Sequence, residues 1–297
     1  MSWDDCNIIL NSTNGVFYTG DVVTGAVALE FKKKQKIKGI TFKVIGTSQA
    51  SWTRSSPTIP YIKIYSEKSK IFYVNIDVFR EINGKTVEPG VINFPFHFAL
   101  PPDLPSSFKD TIAKIFYRVI IQTKIAFKIS KKAIYPLSIL SSLNLNQTGN
   151  YSLQSFFEVS KTFKKFDEFS LIIRTYKGVA LKQRLPFEAI INNDRKVKVS
   201  KITVTLIQKL EYNVPSGYYN VEKRITKVEH KELASTLRET CTFSMDIPQI
   251  QPSSINVPNT MVNISYVIKV KVCFRFHLSI SMDIPLVIGT TPVIYSK

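Results

Sequence analysis

Few residues in this chain could carry covalent chemistry. The 297 residues include only three cysteines and three histidines. Cys273 and His277 are residue types that can form a thiolate–imidazole pair, in which the imidazole takes the thiol proton and the thiolate attacks an electrophile. Both fall on one face of a predicted strand, but four residues along a strand separate side chains by roughly 13 Å. We therefore interpret them as parts of a solvated strand face.

Other catalytic and metal-binding patterns are also missing from the sequence. Cys6, Cys241 and Cys273 are an odd number without a CxxC spacing, which favours free thiols over a disulfide framework or a zinc site. No P-loop, GxGxxG, HExxH or GxSxG pattern occurs. The sequence thus predicts no enzymatic activity, no cofactor and no metal.

The charge is strongly basic. Lys and Arg number 40 against 22 Asp and Glu, a formal net charge of +18, which suits a surface that meets anionic partners. Five lysines lie close together at Lys32, Lys33, Lys34, Lys36 and Lys38. They either form a solvated strand end that blocks unwanted strand pairing or contact an anionic headgroup or phosphorylated tail. A nucleic-acid partner is not expected, because the basic residues are dispersed and no RNP or helix-turn-helix pattern accompanies them.

The elements that would position these residues are β-strands. Apolar residues alternate with polar ones throughout the chain, and over residues 264–278 every even position from Ile264 to Leu278 is apolar or aromatic. This pattern predicts a strand of roughly 50 Å. Frequent strands separated by Gly, Pro, Asn and Ser clusters predict an all-β protein built from sandwiches.

The chain also repeats itself. "FHFALPPDLPSS" (96–107) aligns without a gap on "FSMDIPQIQPSS" (243–254), and Tyr117 then meets Tyr266. An offset of half the chain predicts two copies of one sandwich. We place the N-terminal sandwich at 1–148, a polar linker at 149–165 and the C-terminal sandwich at 166–297. Because these prolines recur at the same strand end in both copies, we interpret them as a structural corner, in which Pro removes backbone donors and ends sheet pairing. An SH3 or WW ligand is the less favoured interpretation.

Several motifs together resemble the α-arrestins, the arrestin-domain-containing proteins. "YTGDVVTGAVAL" (18–29), "IKGITFKVIGTSQASWT" (37–53) and "FPFHFALPPDLPSSF" (94–108) are similar to successive strands of that family, and "IPLVIGTTP" (284–292) is similar to the end of its second domain. The residues that carry the resemblance and the repeat are Gly20, Gly25, Trp52, Phe96, Phe98, Pro101, Pro105, Tyr117, Pro248, Pro252, Tyr266 and Gly289. The resemblance implies two tandem arrestin-like, immunoglobulin-like β-sandwiches.

Two features depart from the family pattern. The second domain lacks the Gly-Glu pair that normally precedes its first long strand, and only Glu188 and Asn193 are retained. The sequence ends at Lys297 without a Pro-Pro-x-Tyr motif, which α-arrestins use to bind WW domains of ubiquitin ligases. We therefore expect a tail-less member for which ligase recruitment does not carry over.

By resemblance, the protein is expected to be an adaptor in protein transport. It would bind cytosolic tails of membrane receptors or transporters and direct endocytosis, sorting and ubiquitination. Further candidate partners are an anionic membrane surface and ubiquitin-ligase machinery. No signal peptide or membrane span is predicted, so the expected location is cytoplasmic, peripheral at the plasma membrane or endosomes. The alternatives are a retromer-type coat subunit of the same fold and, least favoured, a nucleic-acid binder.

Overall fold

The computed structural model describes residues 3–12, 14–56, 59–123, 131–147, 150–164, 167–194, 197–231, 237–255 and 260–296. Within this part of the chain there are twenty strands and one short 3-10 helix, Leu145–Gln147. The strands are β1 (Asp5–Leu10), β2 (Val16–Tyr18), β3 (Val22–Phe31), β4 (Gln35–Lys36), β5 (Ile40–Ser56), β6 (Ile59–Ile76), β7 (Thr86–Val87), β8 (Gly90–Ala99), β9 (Phe108–Lys109), β10 (Ala113–Thr123), β11 (Lys132–Leu140), β12 (Gln154–Lys164), β13 (Asp167–Tyr176), β14 (Gly178–Ala180), β15 (Arg184–Asn193), β16 (Val199–Val214), β17 (Gly217–His230), β18 (Arg238–Asp246), β19 (Val262–Phe274) and β20 (Ile280–Gly289).

The all-β prediction is confirmed. Side chains alternate between the two faces of each strand, and in inner strands such as β3 and β19 one alternate set is buried while the other is half-buried or exposed. In β19, for example, Ile268, Val270 and Val272 are fully buried. Among the described residues, no helix has the length and apolarity needed to cross a bilayer.

The chain divides into two compact units. The first consists of Met1–Ser142, Tyr212–Tyr218 and Asn256–Val262. One of its two larger sheets has the strand order β1-β3-β8, and the other has the order β2-β11-β10-β5-β6, with β9 added to β10. The two sheets enclose a core that includes Phe42, Phe96 and Tyr117.

The second unit consists of Leu143–Glu211, Tyr219–Ile255 and Asn263–Lys297. Its sheets have the orders β12-β13-β15-β18 and β14-β20-β19-β16-β17. The larger sheets of the two units match strand for strand, and both have a short parallel strand at one end, β2 on β11 and β14 on β20. Strand β12 lies inside the range 149–165 assigned to the linker from the sequence.

The repeated corner joins the two sheets of each unit through a buried tyrosine. The Tyr117 hydroxyl donates a hydrogen bond of 2.6 Å to the Pro105 carbonyl, and the Tyr266 hydroxyl donates one of 2.6 Å to the Gln251 carbonyl. Gln251, and not Pro252, is therefore the structural counterpart of Pro105. The ungapped alignment is wrong by one residue in this loop, because its matched prolines and serines do not occupy the same backbone positions.

The serines of the corner show the same shift. Ser107 donates its amide to the Ile139 carbonyl and accepts the Ile139 amide on its hydroxyl oxygen, at 2.7 Å and 3.0 Å. Ser253 makes the same two bonds with Ile288, each of 2.9 Å. Ser107 thus matches Ser253 instead of Ser254. Each serine ties the corner to the last long strand of its unit, which gives the corner a structural purpose in both copies.

The strand predicted over 264–278 is shorter than the sequence pattern indicated. Strand β19 ends at Phe274, and Val272 is already paired with Ile280 of β20. That register forces the chain to reverse within 273–279, so the alternation continues through a hairpin turn. Phe276 and Leu278 are accordingly 84% and 85% exposed.

The missing glycine of the second unit is replaced by a strained lysine. Gly20 and Lys182 hold equivalent positions, because they donate their amides to the carbonyls of Leu100 and Ile247, both at 3.0 Å. Gly20 has φ of 90° and Lys182 has φ of 61°. Residues other than glycine rarely adopt such angles. The turn geometry is thus retained although the sequence motif is lost.

Candidate functional site

The predicted lysine run lies at one end of the first unit. Lys32, Lys33, Lys34, Lys36 and Lys38 are all exposed, whereas Gln35 and Ile37 between them are buried. The short β4–β7 pairing fixes this segment. Lys34 forms an ion pair with Glu88, and the Lys32 amide donates to the Asp4 carboxylate at 2.7 Å. Because Gln35 and Ile37 are buried, Lys34, Lys36 and Lys38 point to the same exposed side of this segment.

A basic groove lies in the second unit, on the outer face of the sheet that contains β16, β17 and β19. Its volume is about 400 Å³. The described residues that line it are Lys201, Thr203, Thr205, Ile207, Arg224, Lys227, Lys269, Lys271 and Cys273. Five of these are cations and none is Asp or Glu. We call this surface the basic groove.

The strand pattern explains why these side chains point the same way. In β16 the even residues Ile202, Val204 and Leu206 are buried, so Lys201, Thr203 and Thr205 point away from the core. In β19 the buried set is again even, which directs Lys269 and Lys271 outward. Adjacent strands lie about 4.8 Å apart, and the cations of β16 and β19 therefore converge on one surface.

Carboxylates beside the groove balance only part of this charge. Glu229 accepts a hydrogen bond of 2.9 Å from Lys201 and also pairs with Lys227, while Lys269 lies 3.9 Å from Asp283. Lys227 and Lys201 hold the pKa of the Glu229 carboxyl down at about 2. Within the described part of the chain, Arg224 and Lys271 make no ion pair. The groove thus presents an excess of cations, together with two threonine hydroxyls able to donate hydrogen bonds.

The cysteine–histidine pair considered from the sequence is not positioned by one strand. Cys273 belongs to β19 and lines the basic groove, but His277 follows the end of that strand. Among the described residues, no three His, Cys, Asp or Glu side chains approach one another as a metal site would require. The three cysteines are free thiols, and burial raises the pKa of Cys6 and Cys241.

Sequence reasoning missed the basic groove. Lys201 and Lys271 are 70 positions apart in the chain. Arg224 lies between them in the sequence and belongs to a third strand, β17. None of these belongs to a lysine run, and local charge density therefore indicated only the segment at 32–38. Two short signals were available in "VSKIT" and "IKVKV", where single lysines occupy the polar face of a strongly alternating strand.

Comparison with known families matches both units. Residues 6–146 match the family model of the arrestin (or S-antigen) N-terminal domain, and residues 175–293 match that of the arrestin (or S-antigen) C-terminal domain. The chain belongs to the arrestin domain-containing family. The predicted resemblance to the α-arrestins is thereby confirmed.

Curated relatives agree with this assignment. Arrestin domain-containing protein 1 of Rattus norvegicus is 26% identical over 215 residues, which is 70% of this chain and 46% of that protein. An arrestin domain-containing protein of Schizosaccharomyces pombe is 24% identical over 204 residues, covering 66% of this chain and 33% of that protein. Arrestin domain-containing protein 4 of Homo sapiens is 23% identical over 303 residues, covering 94% of this chain and 69% of that protein. The chain thus spans between a third and about half the length of the first two.

The residues that carried the resemblance have structural positions in the arrestin domains. A Cβ on Gly25 would lie 2.4 Å from the Ile9 carbonyl oxygen, and one on Gly289 would lie 2.8 Å from the Leu143 carbonyl oxygen. Trp52 is buried and stacks on Tyr65 with ring centroids 5.4 Å apart. Phe96, Phe98, Tyr117, Tyr266, Pro105 and Pro252 are buried, Pro101 is half-buried and Pro248 is exposed.

Proposed function

We propose that this arrestin domain-containing protein is an adaptor in membrane-protein trafficking. It acts in the cytoplasm, peripheral at the plasma membrane or endosomes, and links cytosolic tails of receptors or transporters to endocytosis, sorting and ubiquitination. Family membership supports the adaptor role. The observation that carries the membrane-proximal location is the basic groove, which brings five cations into one depression of about 400 Å³.

The groove is suited to an anionic membrane surface. A Lys or Arg near an anionic leaflet contributes about 1 kcal/mol. Arg224 and Lys271 have no carboxylate partner among the described residues, so their positive charge is fully available to anionic lipid. The interaction would be screened over a Debye length of about 8 Å at physiological ionic strength. Binding should therefore weaken as salt rises and should require anionic lipid.

Vesicle flotation tests this proposal. The wild-type chain should float with vesicles that contain phosphatidylserine or phosphoinositide and stay at the bottom with pure phosphatidylcholine. Arg224→Glu with Lys271→Glu should abolish flotation, because the double change reverses two groove charges without breaking a described ion pair. Lys32→Glu with Lys33→Glu changes the net charge by the same amount outside the groove and serves as the matched control.

Two outcomes would overturn the membrane part of the proposal. Equal flotation with neutral and anionic vesicles would exclude an electrostatic contact. Loss of flotation with the control pair but not with the groove pair would move the contact to the lysine run at 32–38.

The adaptor part needs a separate test in cells. Proximity labelling from the wild-type chain should enrich transporters, receptors or ubiquitin ligases above a cytosolic control. Absence of all three classes would refute it. A stable stoichiometric complex on gel filtration of native extract would indicate a coat subunit instead, because a transient adaptor does not remain in one.

A further inference from the structure

The two units end their smaller sheets in equivalent edge strands. Among the strands that the structure describes, β8 pairs only with β3 and is last in the order β1-β3-β8, while β18 pairs only with β15 and is last in the order β12-β13-β15-β18. An edge strand presents one row of unpaired backbone donors and acceptors to any other strand that can reach it. The sequences of these two edges differ at one decisive position.

The edge at β8 is blocked by a proline. The Leu100 amide donates to the Asp21 carbonyl at 2.9 Å, and the Leu100 carbonyl accepts from Gly20 at 3.0 Å. Even residues of this strand therefore direct their backbone groups toward β3, and odd residues direct theirs to the open edge. Pro95 is odd and lies in the middle of the strand. It removes the central donor of the edge and places its ring there, a common way for proteins to block edge pairing.

The equivalent edge at β18 is unblocked. The Ile247 amide donates to the Gln183 carbonyl at 3.0 Å, and the Ile247 carbonyl accepts from Lys182 at 3.0 Å. Odd residues of β18 therefore face β15, and the even ones face the open edge. Leu100 and Ile247 make the same two bonds and are therefore equivalent positions. Five residues before them stand Pro95 in β8 and Thr242 in β18, which are equivalent in turn. The outward-facing series is Arg238, Thr240, Thr242, Ser244 and Asp246, in which every residue has an amide donor.

We propose that β18 is a homodimer interface, at which β18 of a second copy pairs antiparallel about a two-fold axis through Thr242. In this register Arg238 stands opposite Asp246 of the second copy, and Thr240 stands opposite Ser244 of the second copy. Opposite charges and hydroxyl pairs at directly facing positions stabilise antiparallel strands. A parallel arrangement would instead place each charge beside its own kind.

The charge pattern favours a second copy over an unrelated strand. The outward-facing series carries Arg238 at one end and Asp246 at the other, so the strand is complementary to itself. The Asp246 carboxylate also accepts a hydrogen bond of 2.9 Å from Arg184 of β15, and in the dimer it would lie between Arg184 and Arg238 of the second copy. Arg238, Thr240, Thr242 and Asp246 are exposed on the outer face of the sheet and Ser244 is half-buried there. Pairing would join two four-stranded sheets into one of eight strands, a size that twisted open sheets reach.

Analytical ultracentrifugation of the whole chain tests the dimer. The wild type should shift with rising concentration from the 33.8 kDa monomer toward twice that mass. Thr242→Pro should lose the shift, because it gives β18 the proline that blocks β8, at an amide that no described strand uses. His97→Pro adds a proline at an outward-facing amide of β8 and should leave the shift unchanged. Unchanged circular dichroism and melting temperature establish that both variants fold.

A cross-linking variant keeps the test decisive if Thr242→Pro does not fold. Thr242→Cys places two thiols across the two-fold axis with Cα atoms about 5.5 Å apart, within the range that a disulfide spans. Mild oxidation should give a covalent dimer from Thr242→Cys and none from His97→Cys.

A wild type that stays monomeric up to its solubility limit would overturn the proposal, as would a dimer that survives in Thr242→Pro. Equal cross-linking at positions 242 and 97 would also overturn it, because random collision would then explain both. If the wild type is monomeric but carries another protein that Thr242→Pro loses, the occupant of the edge is that protein and the second-copy proposal is wrong.

Discussion

The repeated tyrosine corner gives the sharpest stability prediction. Tyr117→Phe removes a hydroxyl whose only described partner is the buried Pro105 carbonyl. An acceptor left buried without a donor costs about 1–3 kcal/mol. Tyr266→Phe removes more, because its hydroxyl donates to the Gln251 carbonyl and also accepts from the Gln208 amide at 2.8 Å. We expect a loss of about 2 kcal/mol for the first variant and roughly 3 kcal/mol for the second.

Urea unfolding followed by intrinsic fluorescence and circular dichroism measures both losses. For units of this size, each kcal/mol lowers the melting temperature by about 3 °C. Tyr73→Phe is the control, since that ring is 48% exposed, and its effect should stay near zero. A corner variant whose free energy of unfolding equals that of the control would contradict this prediction. A larger loss of stability in Tyr117→Phe than in Tyr266→Phe would also contradict it.

The same phenols make the fold sensitive to alkali. Burial raises the pKa of both Tyr117 and Tyr266 above the usual tyrosine range. The stabilising effect of keeping them neutral is complete below the unfolded pKa of about 10 and is lost as the pH rises above it. The double Phe variant should therefore show a flatter decline of stability between pH 10 and 12 than the wild type, by the same urea assay.

Two further predictions concern the second unit. Lys182→Gly should stabilise the protein by about 0.5–1 kcal/mol, because relief of the positive φ exceeds the added entropy of the unfolded chain. Gly20→Lys, the reverse change at the equivalent position, should destabilise the protein in the same denaturation assay. A destabilising Lys182→Gly would refute the conclusion that Lys182 occupies a glycine position. Glu229→Gln should remove stability that is present above the unfolded glutamate pKa of about 4.3 and is lost as the pH falls toward the folded pKa of about 2. Unfolding curves of the wild type and the Glu229→Gln variant should therefore differ at pH 6 and converge at pH 2, and a gap that widens in acid would contradict the ion pairs with Lys227 and Lys201.

The fold could be predicted from the sequence because its signals are local. Alternation at period two depends only on neighbouring residues, and the corner at 96–107 combines alternating apolar residues with prolines that end pairing. The repeat then doubled that signal at 243–254. The one-residue slip in the corner could not be seen, since Pro and Ser recur there in either register and only the hydrogen bonds of Tyr117 and Tyr266 decide between them.

The basic groove could not be predicted because it depends on strand order. Lys201, Arg224 and Lys271 meet only when β16 lies between β17 and β19, an arrangement that sequence spacing does not encode. The lysine run at 32–38 could be identified because its charges are adjacent in the sequence, and its contact with an anionic partner stays a prediction. The structure adds that Gln35 and Ile37 between these lysines are buried.

Photo-cross-linking to an anionic lipid tests the central claim most directly. The wild-type chain would be bound to vesicles that carry a phosphoinositide with a photoreactive headgroup, irradiated, digested and mapped by mass spectrometry. Adducts should concentrate in the groove strands, at 201–207, 224–227 and 269–273, and should be lost in Arg224→Glu with Lys271→Glu. Adducts at 32–38 with none in the groove, or equal labelling from a neutral photoreactive lipid, would contradict the claim.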